Sequence, residues 1–145
     1  MRYAKYRLVA FTMISIAIQS SSILAADEMA LEKVMKGHAK NMQLIAGGIA
    51  HEDYEQVVKA SLGVVDPPRP PSTIGEKLKL MGFLGQNIGR FKELDGDVKE
   101  RAAVLVKTAR TQNGKATIAA FQRLQLSCLA CHAEFRKPFP DHFQR

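Results

Sequence analysis

An all-α fold, an antiparallel bundle of four helices, is the architecture that this chain of 145 residues predicts. Three observations predict it. Apolar residues recur at alternating spacings of three and four along several long stretches, helix-start patterns precede two of those stretches, and nowhere do apolar and polar residues alternate with the period of a strand. Helices of this length joined by short turns pack most simply as an antiparallel bundle.

The first stretch stands apart from that bundle. Arg2, Lys5 and Arg7 precede an apolar run from Leu8 to Ile18, followed by Gln19-Ser20-Ser21-Ser22 and a small-residue site. This three-part layout predicts a secretory signal over residues 1–26, cleaved near Ala25/Ala26, and one mature domain over residues 27–145. An uncleaved anchor is the alternative, although the run is short for a bilayer span. Removing the signal takes the net charge from +7 to +4, with 18 bases left against 14 acids. Those bases are interleaved with acids, so no nucleic-acid surface is expected, and no membrane span is expected after cleavage.

In the mature part, Leu31, Met35, His38, Met42, Ile45 and Ile49 form one apolar stripe, predicting a helix over residues 28–48 that Gly47-Gly48 ends. Asp53 followed by Gln56 reads as a capping box opening a second helix through Tyr54, Val57, Val58 and Leu62. The run Asp66-Pro67-Pro68-Arg69-Pro70-Pro71 forbids helix and predicts an extended connection. Over residues 73–92, Leu78, Met81, Leu84, Ile88 and Phe91 keep helical spacing. Gly82, Gly85 and Gly89 weaken that stretch by about 1 kcal/mol each, so a short or broken helix followed by a loop is expected. Asp97 with Glu100 suggests another capping box, opening a helix to about Thr111. Asn113-Gly114 reads as a turn, and a last helix occupies residues 115–136.

That last helix carries Cys128-Leu129-Ala130-Cys131-His132, which contains the only two cysteines of the chain. Two cysteines three apart followed at once by histidine form the attachment pattern of a c-type haem. The thiols add across the vinyl groups as thioethers, and the adjacent imidazole is placed to bind the iron. On a helix, Cys131 lies about 60° to one side of Cys128 and His132 about 40° to the other, so all three share a face. A redox disulfide would sit at a helix start after a strand, and a zinc site would need two more ligands. Export fits the haem reading, because c-type attachment in bacteria takes place outside the cytoplasm; a periplasmic location is expected.

Four helices with this motif on the last resemble the class II c-type cytochromes, the cytochrome c′ and cytochrome c-556 group. Two segments carry the likeness: Cys128 to Lys137, and Val34-Met35-Lys36-Gly37-His38-Ala39-Lys40-Asn41-Met42 in the first helix. The resemblance implies one covalent haem c, with His132 as proximal iron ligand and Met35 as the distal one. It also implies a propionate partner in Arg136 and a homodimer built on the first two helices. Leu129 stands where cytochromes c′ usually carry Lys or Arg, which weighs against their branch.

The sixth ligand decides the function. A thioether gives a low-spin haem suited to electron transfer, whereas an apolar residue leaves the iron open to nitric oxide or carbon monoxide. Met35 is the candidate ligand and Met42 the runner-up, each set against ordinary core packing. Met29 and Met81 are weaker contenders, and His38 would serve a bis-histidine site or be structural. The expectation is a His/Met electron carrier meeting redox partner proteins. A five-coordinate gas-binding cytochrome c′ is the alternative, and a haem-free thiol–disulfide protein a third reading. No nucleophile–base constellation suggests an enzyme.

Overall fold

The computed structural model describes residues 29–136, and the expected signal over residues 1–26 lies outside them. Five helices follow in order: α1 Ala30–Ala50, α2 Tyr54–Val65, α3 Ile74–Leu84, α4 Ile88–Arg110 and α5 Gly114–Phe135, with a 3-10 turn Gly85–Asn87 between α3 and α4. There is no strand among the described residues. Four helices, α1, α2, α4 and α5, pack closely side by side, and α3 lies at the periphery.

Two short turns set the alternation of direction. The α1–α2 turn closes when the Asp53 N–H donates to the Gly48 carbonyl at 2.8 Å. Asp53 caps α2 as expected, accepting from the Gln56 N–H at 2.9 Å. The reciprocal half of that box does not form, because the Gln56 side chain donates instead to the Leu44 carbonyl on α1 at 2.9 Å. At the α4–α5 turn Asn113 caps α5 through the Ala116 N–H at 3.0 Å. A Cβ on Gly114 would stand 2.9 Å from the Tyr54 hydroxyl, so the start of α2 meets the start of α5 at this upper end. At the lower end Arg90 of α4 holds Glu134 of α5 at 2.8 Å. The bundle therefore runs up, down, up, down.

The core is made of Ile45, Val57, Val64, Leu105 and Leu124, all but fully buried, with Ala60, Ala102, Ala109 and Ala120 letting the helices approach closely. Burial of each large side chain contributes about 1.5–3 kcal/mol.

Three boundaries differ from expectation. Gly47-Gly48 does not end α1, which continues to Ala50. Gly48 serves packing instead, since a Cβ there would sit 2.9 Å from Val57 Cγ2 and 3.0 Å from the Asp53 carbonyl. Asp97 caps nothing: α4 starts at Ile88, and Asp97 pairs with Arg101 one turn on at 3.0 Å. The expected loop before it is absent, because α3 passes through the 3-10 turn directly into α4. A complete capping box of Thr73 and Glu76 opens α3, and Gly85, at φ +47°, ends it. Leu62, Leu78 and Met81, assigned above to apolar stripes, are exposed.

Candidate functional site

Helix α5 is unbroken through Phe135, so Cys128, Cys131 and His132 share the face that their spacing requires. All three are half-buried near the lower end, and Cys128 packs against the central core. Burial pushes both thiols above the ordinary cysteine range, and for Cys131 the carboxylates of Asp95 and Glu134 push the same way. Both are therefore protonated at neutral pH. A disulfide-exchange cysteine needs the opposite setting, a cation or helix N-terminus that stabilises the thiolate. Burial, and then Arg136, hold His132 below the usual histidine range, which leaves its imidazole neutral and able to donate a lone pair.

The flanks of the helices show where His132 and Met35 lie. Glu134 marks the flank of α5 that meets α4, through Arg90. His132, two residues earlier, stands about 160° around the helix from it. On α1, Asn41 marks the flank toward α2, since a Cβ on Gly63 would fall 2.6 Å from its amide nitrogen. Met35, six residues earlier, stands about 120° from it. His132 thus lies off the α4-facing flank of α5 and Met35 off the α2-facing flank of α1; around the four-helix bundle, α1 and α5 are the neighbours that approach one another least closely. Met35 lies about 7.5 Å along the axis from the start of α1, and His132 about 4.5 Å from the end of α5, so the two sit at similar heights.

The other candidates separate clearly. Met42 is half-buried against the core cluster, as a packing residue would be. Met35 is 36% exposed and Met81 58% exposed, on α3. Met29 is the residue preceding α1. His38 turns inward: burial lowers its pKa, Asp95 and Lys99 of α4 act on it, and its Nδ1 is buried without a hydrogen-bond partner. Asp95 also acts on Cys131, so this half-exposed carboxylate of α4 lies within electrostatic reach of both His38 on α1 and Cys131 on α5. Arg136 follows α5 directly, exposed, its N–H donating to the His132 carbonyl at 3.0 Å.

An aromatic cluster was not anticipated. Phe135 meets Phe91 of α4 edge-on at 5.3 Å and Phe83 of α3 at 6.5 Å, forming an apolar wall one turn from His132. The signal was Phe91 in register with Leu84 and Ile88, obscured by neighbouring glycines. Among the described residues no three His, Cys, Asp or Glu side chains gather as a metal-ion cluster, and no helix is long and apolar enough to cross a membrane. Comparison with protein-family models, with curated proteins and with solved structures returned no match.

Proposed function

We propose that this chain is an exported, periplasmic c-type haem protein of the class II type, carrying one covalent haem c and serving as an electron carrier rather than an enzyme. One observation carries the reading: two half-buried thiols and a neutral imidazole share one face of α5. The residues present fit the group. Cys128 and Cys131 would form the thioethers, His132 would bind iron, and Met35 would bind it from the opposing flank. Arg136 would pair with a propionate. Bound there, the haem supplies one-electron chemistry at its iron.

The chain's own residues prepare that site. Burial keeps His132 neutral, the Phe83–Phe91–Phe135 cluster supplies an apolar wall, and the buried, unpartnered Nδ1 of His38 belongs to an interior that accepts a further group. Redox partner proteins, and a homodimer through α1 and α2, follow from the resemblance alone. A second reading, a gas-binding site, is favoured by the exposure of Met35: a side chain so lightly held leaves the distal position open if it stays turned to solvent.

Visible spectra of the purified protein, oxidised and reduced, with and without carbon monoxide, test the proposal. Sharp reduced bands, a weak far-red sulfur-to-iron band on oxidation and indifference to the gas are expected. A high-spin spectrum that shifts with carbon monoxide would transfer the reading to gas binding. Absence of haem after denaturing electrophoresis would end both.

A further inference from the structure

A cavity of about 250 Å³ opens between the first half of α1, the end of α2 and the proline-rich connection. It lies on the α2 flank of α1, away from Cys128, Cys131 and His132. Its lining includes Lys33, Val34, Gly37, Asn41, Gly63 and Arg69, with the prolines beside Arg69 forming a wall. No carboxylate lines it, although Glu32 and Asp66 adjoin lining residues in the chain and Glu76 lies within electrostatic reach of Lys33.

Three features distinguish this cavity from an accidental groove. Arg69 stands between Pro68 and Pro70, whose rings and neighbour effects restrict the backbone, and it forms no ion pair or side-chain hydrogen bond among the described residues. Asn41 is held against Gly63, where a Cβ would come within 2.6 Å of its amide. Gly37 is the most telling. It lies in the interior of α1, where glycine disfavours the helix, yet a Cβ there would meet nothing within 4 Å. Packing does not require glycine at this place; its effect is to leave the cavity floor open.

We propose that this cavity binds a small organic carboxylate. Arg69 and Lys33, both exposed, receive the carboxylate, Asn41 offers its amide, and Val34 with the prolines flanks an apolar body. A cavity of about 150 Å³ accepts benzene, so this volume admits one ring with its carboxylate. The site shares no residue with the proposed haem-holding set Cys128, Cys131, His132, Met35 and Arg136, so its test does not depend on haem.

Isothermal calorimetry on the purified exported protein tests the assignment, with benzoate, benzamide and inorganic phosphate as probes. Benzoate is expected to give saturable one-to-one binding, with benzamide and phosphate each weaker by about tenfold or more. Arg69→Gln, a change at an exposed position, should weaken benzoate by about tenfold. Gly37→Leu should abolish binding while melting no lower than the parent. The proposal is overturned by the absence of saturable benzoate binding, or by benzamide or phosphate binding as tightly. An Arg69→Gln or folded Gly37→Leu protein that binds like the parent would also overturn it.

Discussion

At the scale of the residue, Met35 and Met42 pose a separable question, because their surroundings differ. Met35 is 36% exposed, so truncating it removes few packing contacts and should lower stability by roughly 1 kcal/mol or less. Met42 is half-buried against the core cluster, so its truncation should cost roughly 1–3 kcal/mol. The proposed ligation predicts the opposite order in the spectrum. Met35→Ala should turn a low-spin haem high-spin and open it to carbon monoxide, and should barely move the denaturation midpoint of the haem-free chain while lowering that of the holoprotein through the lost iron–sulfur bond. Met42→Ala should lower the midpoint and leave the spectrum alone. A spectral change in Met42→Ala alone would move the ligand there.

Elements record a competition between local propensity and packing. Gly82, Gly85 and Gly89 favour a broken helix and a loop, since each disfavours helix by about 1 kcal/mol. Tertiary contacts outweigh that cost in α4, where Leu94 is buried and Phe91 meets Phe135, contacts invisible to any local window. Long stripes and one side-chain cap were legible: α1, α2 and α5, with Asp53 as cap, follow from periodicity and capping chemistry, whereas Asp97 caps nothing and the caps Thr73 and Asn113 were not read. The shared face of Cys128, Cys131 and His132 was legible too, because it needs only the helix pitch. Their neighbours Asp95, Phe83 and Phe91 were not, because they reach the site through the fold.

The two roles of glycine give a paired prediction at this scale. Gly48→Ala forces a methyl against Val57 and the Asp53 carbonyl and should destabilise by roughly 1–3 kcal/mol. Gly89→Ala, in open space within α4, should stabilise by roughly 0.5–1 kcal/mol. Chemical denaturation of both variants checks the opposite signs. The cap of α3 is local: Thr73→Ala should cost about 1 kcal/mol there. Because α3 is peripheral, the loss should appear as several-fold faster amide exchange over residues 74–78, with the global midpoint little changed.

For the molecule as a whole, pH provides the test. His38 lies within electrostatic reach of Asp95 and Lys99 of α4, and burial is the dominant influence, so its folded pKa lies below its ordinary value. The unfolded chain then binds more protons than the folded one as pH falls through about 6.5. Its contribution to stability is full above that value and is lost as pH falls toward the folded pKa. Glu76 and Glu134, also lowered, lose theirs only at more acidic pH, below the ordinary carboxylate value of 4.5. His132 acts in the same sense as His38, unless iron ligation replaces its proton. The denaturation midpoint should therefore fall between about pH 7.5 and about pH 5.5, before the carboxylates titrate. His38→Leu removes the inward-facing titration and should flatten that fall. An unchanged slope in His38→Leu would assign the pH dependence to His132, and hence to an imidazole not engaged by iron.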